Sequence, residues 1–504
     1  MSLRKRIIMN AGSNWVCMLI TAAVGLVLFR IIRHNLGASF GVWLLLSTGL
    51  RYPMILERAF SLSTNRFVAY YRDNTEQLNR FVSASFGILM ALAVLTVVAA
   101  TLLSFFISNI FTAITAESAR DAQITCILVG VTLAFRIVEA TFGGALRGYQ
   151  YHTRSNAVAI TANLLRALLT VGVLIVWKSM IAVQLAFGTA AAASALLMFF
   201  VAQKSITGFR IAVSKVGRKT LRELFRHTGH ATARSGSMIF MFSTLVLLVG
   251  KVGSAQDVEV YAIASLIPGF VRGLLAGTQN VFLPVVTSLN ANGQTERVKA
   301  IIKKGTHISS ALACALLILL FVFAGEVLAI WFKDSVPPET VLVMRVLIIS
   351  VVSRGFFGIW FPSLVGIGHL RGLTIAAITT AVSAILLTLI LLQIFTSVPM
   401  APTIALVVVL WGYMGLWLPF YGLHKLGIHP YEYLKDSLSQ PLAASVVSII
   451  ALWVLSSILL RGNVHWMVML ILSTVVVMAS FTVISLRKET ADLIVAVRKR
   501  FEGK

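Results

Sequence analysis

The stretch GASFGVWLLLSTGLRYPMILERAF (37–60) sets the problem that this sequence poses. Its first half is apolar, and the whole stretch is long enough to cross a membrane, because about twenty helical residues span a hydrocarbon core of about 30 Å. Its second half nevertheless contains Arg51, Pro53, Glu57 and Arg58. A charge near the bilayer centre costs roughly 2.5–3.5 kcal/mol on insertion scales. The fold must therefore provide these residues with a polar environment.

The composition identifies the class of protein. Of the 504 residues, 58% are apolar and only 12% are charged, and the mean hydropathy is +0.89. A soluble chain is roughly a quarter charged, so we expect an all-α polytopic membrane protein. About fourteen apolar segments are long enough to span a membrane. They are 11–32, 38–61, 81–108, 122–145, 155–177, 180–202, 233–252, 258–284, 307–332, 341–364, 372–394, 402–424, 440–460 and 464–486.

The loops between these segments alternate in charge. One alternate set holds most of the lysines and arginines outside the spans, and the other set is short and holds few. The positive-inside rule then places both termini in the cytoplasm. The net charge of +25 is explained by this topology, so we expect no nucleic-acid partner. The three cysteines lie in apolar segments without a pairing or metal-ligand pattern, so we expect no metal and no cofactor.

Two pairs of similar segments indicate an internal repeat. RDNTEQLNR (72–80) resembles ANGQTERVK (291–299), and RGYQYHTRSNAVAIT (147–161) resembles VGIGHLRGLTIAAIT (365–379), at offsets of 219 and 218 positions. Six spans preserve orientation, so the halves would be parallel repeats. The predicted organisation is an N-lobe (1–202), a basic amphipathic linker on anionic lipid (203–232), a C-lobe (233–424), two further helices (425–486) and a basic cytoplasmic tail (487–504).

Several arginines fall inside the predicted spans at a similar level. Each lies roughly 20 Å from the outer end of its span or at a comparable mid-depth, at 1.5 Å per residue. They are Arg51, Arg136, Arg166, Arg272 and Arg354, and Arg58 lies two turns after Arg51. Only Glu57 and Glu139 are clearly intramembrane acids, and we interpret them as a structural or coupling charge pair. The sequence therefore predicts a wet, cationic cavity that receives an anion.

Two simpler interpretations stay open for part of this set. Arg136 and Glu139 are spaced i, i+3 and can neutralise each other. Arg58 and Arg345 lie near span ends, where a long side chain reaches the interface. Arginine, unlike lysine, offers a planar fork that matches phosphate oxygens. Pro53 and Pro268 accompany the charged helices and are predicted hinges, because proline removes a backbone hydrogen bond.

The chain resembles a known family. The segments RHNLGASFGVWLLL (33–46) and NRFVAYYRDNT (65–75) resemble the N-terminal signature of the polysaccharide flippases. FLPVVTSLNANGQTER (282–297) and ALRGYQYHTRSNA (145–157) resemble later segments of these Wzx-type proteins, which belong to the multidrug/oligosaccharidyl-lipid/polysaccharide (MOP) superfamily. The resemblance implies two six-helix lobes in a V around a central cavity, alternating access, and a cavity on helices one, two, seven and eight. Arg51, Arg58 and Arg272 match that placement.

The resemblance also implies a function and a substrate. Family members move undecaprenyl-pyrophosphate-linked oligosaccharides from the cytoplasmic to the periplasmic leaflet, so the resemblance implies a protein of the bacterial inner membrane. We expect a monomer that works beside a glycan polymerase and other assembly proteins. A lipid II flippase is an alternative with the same pyrophosphate chemistry. A multidrug or cation antiporter is disfavoured, because cationic substrates call for carboxylates in the lumen. An enzyme is disfavoured too, because the short outer loops contain no paired acidic motif.

Overall fold

The computed structural model describes residues 3–212, 216–332, 336–459 and 466–485; the predicted basic tail 487–504 lies outside these residues. All regular elements in the described ranges are helices. In chain order they are α1 (Leu3–Leu36), α2 (Ser39–Gly49), α3 (Pro53–Tyr70), α4 (Thr75–Ser104), α5 (Ile107–Ile110), α6 (Ala119–Gly148), α7 (His152–Val176), α8 (Met180–Ser205), α9 (Arg218–Val252), α10 (Ala255–Asn280), α11 (Phe282–Ala291), α12 (Thr295–Val322), α13 (Ala324–Phe332), α14 (Glu339–Phe357), α15 (Trp360–Gly366), α16 (Leu370–Leu391), α17 (Met400–Leu410), α18 (Leu418–Leu426), α19 (Pro430–Ser437), α20 (Ser439–Leu459) and α21 (Trp466–Ser480). Trp411–Trp417 and Phe481–Ser485 are π-helical.

The prediction of several membrane-spanning helices is confirmed. Fewer than the fourteen predicted spans meet a criterion of helix length and apolar composition. Within the described residues, 11 helices are long and apolar enough to cross a membrane, or 12 if the bent pair α19–α20 is one span. Two predicted spans fall short of this criterion. The span 38–61 is divided into α2 and α3, and the span 233–252 is an apolar helix, Gly236–Val252, too short to count alone. The polytopic, all-helical class therefore holds, and the count of fourteen stays a prediction.

The division of the span 38–61 occurs at its charged half. α2 ends at Gly49, α3 begins at Pro53, and Arg51 lies in the break between them. Proline is favoured at the first position of a helix, where its missing N–H has no intrahelical partner. The break places Arg51 on non-helical backbone within a predicted span.

The chain packs as two compact units. The first unit holds Met1–Ala262 and Ala377–Pro399, and the second holds Ile263–Ala376 and the chain from Met400 onward. The lobe and linker boundaries given above stay predictions. A long helix begins inside the predicted linker, because α9 starts at Arg218 and runs without interruption for 35 residues to Val252.

In the first unit, α9 packs closely along α2 and α3. A Cβ atom on Gly250 of α9 would lie 2.4 Å from Leu45 Cδ1 of α2, and one on Gly236 of α9 would lie 2.5 Å from Ile55 Cγ2 of α3. Small residues of this kind let helix backbones approach closely where lipid provides no hydrophobic drive. Tyr52 and Thr244 share a hydrogen bond of 3.0 Å across the same interface. The break after α2 is thus held against α9.

The second unit contains a buried polar chain within its apolar core. Trp360 Nε1 donates to the Tyr433 hydroxyl at 2.9 Å, and that hydroxyl donates to Thr306 Oγ1 at 3.1 Å. His307 Nε2 lies 2.7 Å from the Ser485 carbonyl oxygen. These bonds join α12, α15, α19 and the final π-helical segment. Breaking one of them would leave a buried polar atom without a partner, which costs about 1–3 kcal/mol.

Candidate functional site

The crossing of α3 and α6 brings the intramembrane charges of the first unit together. α6 contains Gly144 and Gly148, a G-x-x-x-G spacing that allows close helix packing. A Cβ atom on Gly144 would lie 2.8 Å from the Ser61 carbonyl oxygen, and one on Gly148 would lie 2.7 Å from the Asn65 carbonyl oxygen. Ser61 Oγ also donates to the Ala140 carbonyl oxygen at 3.1 Å. The charged turns of α3 and α6 are therefore fixed beside each other.

We name the resulting group the arginine cluster. Arg51 experiences repulsion from Arg136, Arg58 and Arg166, so these side chains from α3, α6 and α7 share one region. The fields of Arg136, Arg58 and Arg147 act in turn on Glu57. The cluster consists of five arginines and two glutamates: Arg51, Arg58, Arg136, Arg147, Arg166, Glu57 and Glu139.

The two glutamates do not cancel the arginines. Five positive and two negative charges leave a formal charge of +3. Among the described residues, no ion pair within 4.0 Å joins Glu57 or Glu139 to an arginine of the cluster. Glu139 instead accepts a hydrogen bond from Ser194 Oγ of α8 at 2.8 Å. In this structure Glu139 therefore does not neutralise Arg136 by direct contact.

The side chains of the cluster arginines differ in their exposure to solvent. Arg51, Arg58 and Arg136 are exposed, while Arg147 and Arg166 are half-buried. Arg51 Nε donates to the Ser47 carbonyl oxygen at 3.1 Å, which leaves its two terminal amino groups without a partner among the described residues. A guanidinium held at one end and open at the other is suited to bidentate binding of phosphate oxygens.

Arg166 completes the cluster from α7. Its guanidinium carbon lies 5.1 Å from the centre of the Phe187 ring, a cation–π contact with α8. Its Nε is buried and has no hydrogen-bond partner in the described part of the chain. A buried donor without a partner costs free energy, and an anion close to the guanidinium would offset that cost.

Two further predicted arginines belong to the second unit. Arg272 of α10 and Arg354 of α14 are close enough to repel each other. Gln279 Nε2 donates to the Arg354 carbonyl oxygen at 2.9 Å and to Ser309 Oγ at 3.0 Å, which holds α10 against α12 and α14. The structure thus groups four of the six predicted arginines in one unit and two in the other, and a single cationic cavity that includes all six stays a prediction.

The predicted hinges differ in local structure. Pro53 begins α3, directly after the break that contains Arg51. Pro268 is buried inside α10, and that helix continues through it to Asn280. Motion at either position stays a prediction.

Sequence reasoning missed Arg147. The loop count assigned it to the cytoplasmic surface, but it lies in the last turn of α6, where Nη2 donates to Ser61 Oγ at 2.8 Å and the guanidinium interacts with both glutamates. A signal was present, because Arg136, Glu139 and Arg147 are spaced by three and eight residues and fall on one face of a helix with 3.6 residues per turn.

Known proteins resemble this chain mainly in fold. No family model matches the sequence. A membrane protein of Bacillus subtilis (strain 168), EpsK, described as uncharacterized, is 24% identical over 364 residues, which cover 70% of this chain and 71% of EpsK. The lipid II flippase MurJ in an inward closed conformation superposes with a TM-score of 0.69 at 15% identity, covering 97% of this chain and 100% of MurJ.

A multidrug transporter has the same architecture. An inward-facing MATE-family transporter of the MOP superfamily superposes with a TM-score of 0.66 at 15% identity, covering 81% of this chain and 98% of the transporter. At this level of identity the likeness concerns the fold. The expected fold is thereby confirmed: the chain has the fold of these two solved transporters.

Proposed function

We propose that the protein is a flippase that moves a polyprenyl-pyrophosphate-linked oligosaccharide, the repeat unit of a cell-surface polysaccharide, from the inner to the outer leaflet by alternating access. The observation that carries the proposal is the arginine cluster, with its formal charge of +3 and, among the described residues, no ion pair within 4.0 Å between its arginines and its glutamates. A pyrophosphate is the anion that five arginines at one site suit best, because each guanidinium presents parallel N–H groups to phosphate oxygens. The family resemblance of the four sequence segments supports the same substrate class.

The membrane potential favours transport in this direction. An inside-negative potential drives negative charge outward, and each charge that crosses gains about 2.3 kcal/mol per 100 mV. The emptied cluster is positive and is drawn back toward the cytoplasm by the same field. We propose that the membrane potential contributes to the driving force of transport.

Two other substrates fit the fold, and the cluster discriminates against one of them. A soluble cation, the typical cargo of multidrug exporters, would be repelled by the net positive charge of the cluster. Lipid II contains the same pyrophosphate as the proposed substrate, and the likeness of fold to MurJ makes it the second candidate. The two lipids differ in the sugar and peptide beyond the pyrophosphate, so charge alone does not separate them.

The test is translocation in reconstituted vesicles. Wild-type protein is given a fluorescent polyprenyl-pyrophosphate-linked sugar, fluorescent lipid II or a fluorescent organic cation, and the fraction of each that becomes accessible on the far side is measured. We expect the first lipid to move, and Arg51→Ala to slow it at least tenfold while Arg120→Ala, an exposed arginine outside the cluster, leaves the rate unchanged. Movement of the cation alone, or of lipid II alone, would contradict the proposal.

A further inference from the structure

The first unit contains a long apolar groove that the proposed transport does not use. The groove has a volume of about 1130 Å³ and lies along one face each of α4, α6 and α8. Its walls include Phe86, Met90 and Val94 of α4, Phe135 of α6, and Leu196 and Phe199 of α8. From Phe86 to the last α4 residue of the lining, Val98, the helix rises about 18 Å at 1.5 Å per residue, comparable to an extended acyl chain. We call it the α8 groove.

One end of the α8 groove is polar and cationic. Gln203 and Arg210 line it there, together with Phe209 and Ile211, and the Arg210 side chain is exposed. Among the described residues no acidic side chain lies within 4.0 Å of Arg210. An apolar groove with a guanidinium at one end is complementary to an anionic lipid, which has an apolar tail and a negatively charged headgroup.

The segment that contains Arg210 is fixed in place. The backbone N–H of Arg210 donates to Asn79 Oδ1 at 3.1 Å, and Asn79 Nδ2 donates to the Gly208 carbonyl oxygen at 2.8 Å. The N–H of Ala212 donates to Ser83 Oγ at 2.9 Å, and Phe209 is buried against the core. Arg210 is therefore held at the mouth of the groove by α4, so a bound headgroup would not have to order a loop.

The α8 groove and the arginine cluster occupy different faces of α6. Arg136, Glu139 and Arg147 centre on one direction, while the groove residues Phe135 and Val138 with their helical neighbours centre about 120° away at 100° per residue. A lipid whose pyrophosphate is bound at the cluster would have to pass around α6 to place its tail in the groove. The occupant is therefore a different lipid.

We propose that the α8 groove binds an acyl chain of an anionic phospholipid of the cytoplasmic leaflet, with the lipid phosphate at Arg210. The leaflet follows from the orientation that the loop charges predict. The apolar walls alone do not favour an acyl chain in the groove over one in the bilayer, because lipid tails are as apolar as the side chains. Selectivity comes from the headgroup, and a basic residue near the membrane surface contributes about 1 kcal/mol, or about fivefold in occupancy.

The experiment uses photoreactive lipids in vesicles that contain the full-length protein. Phosphatidylglycerol, phosphatidylcholine and a polyprenyl phosphate, each with a photoreactive tail, are compared at equal mole fraction, and the labelled peptides are mapped by mass spectrometry. We expect phosphatidylglycerol to label α4 and α8 residues of the groove about fivefold more than phosphatidylcholine. Equal labelling by the two phospholipids, or stronger labelling by the polyprenyl phosphate, would overturn the proposal.

Matched variants separate the groove from general lipid contact. Arg210→Ala should remove the preference for phosphatidylglycerol, whereas Arg218→Ala, an exposed arginine at the start of α9, should keep it. Val94→Trp should fill the groove and lower labelling by both phospholipids, whereas Leu168→Trp, on an exposed position of α7, should not. Both tryptophans replace exposed residues, so folding should be maintained, and size-exclusion chromatography checks it. An unchanged headgroup preference in Arg210→Ala would contradict the assignment of the phosphate.

Discussion

The ion pair between Arg33 and Glu259 should stabilise the first unit strongly. Arg33 Nε donates to Glu259 Oε1 at 2.6 Å, and the two side chains are only 13% and 11% exposed. Exposed ion pairs contribute about 0.2–1 kcal/mol, whereas removing one partner of a buried pair costs about 3–5 kcal/mol, because the remaining charge stays desolvated. Since a tenth of each side chain is exposed, we expect Glu259→Ala to lower the free energy of unfolding by about 3 kcal/mol.

A double-mutant cycle isolates this contribution. Glu259→Ala, Arg33→Ala and the double variant are unfolded by titration with SDS in mixed micelles, and the coupling free energy is calculated from the four values. We expect a coupling of about 2 kcal/mol. Arg80 and Glu76 form the control pair, with the same chemistry at 2.6 Å but 44% and 75% exposure, and their coupling should be about 0.3–0.5 kcal/mol. Equal coupling in both pairs would refute the argument from burial.

Three further changes follow from particular contacts. Gly41→Ala should weaken the packing of α2, because its Cβ atom would lie 1.9 Å from the Ala255 carbonyl oxygen; we expect a loss of about 1–3 kcal/mol in SDS titration, whereas Gly12→Ala, with no atom within 4 Å, should cause none. Tyr433→Phe leaves the Trp360 indole N–H without its acceptor. We expect the free energy of unfolding to fall by about 1–3 kcal/mol in SDS titration, and an unchanged value would contradict this. Glu139→Gln raises the formal charge of the cluster from +3 to +4, so pyrophosphate binding measured by calorimetry should tighten, and weaker binding would count against the proposed site.

The sequence predicts the helical membrane class well, because hydrophobic span length is a local property. Even the break in the span 38–61 has a local cause, since Pro53 has no N–H to donate to the carbonyl oxygen of Gly49, four residues earlier. The shortfall of the span 233–252 has a different origin. α9 continues back to Arg218, so its apolar part is one portion of a longer helix.

The grouping of charges is less accessible to sequence reasoning, because it depends on helix packing. Depth along each helix places Arg51, Arg136 and Arg166 at a similar level, but it says nothing about which helices are neighbours. The crossing at Gly144 and Gly148 decides that Arg147 joins the arginine cluster. The Arg33–Glu259 pair joins residues 226 positions apart, and no spacing rule connects them.

The central claim is that the arginine cluster binds a pyrophosphate, and equilibrium binding tests it most directly. A short-chain, water-soluble polyprenyl pyrophosphate is titrated by calorimetry into purified wild type, Arg51→Ala and the control Arg120→Ala. Hydrogen bonds to charged groups contribute about 1.5–3 kcal/mol each, so we predict that Arg51→Ala weakens binding at least tenfold while Arg120→Ala binds like the wild type. Equal affinity of all three proteins for the pyrophosphate would contradict the claim.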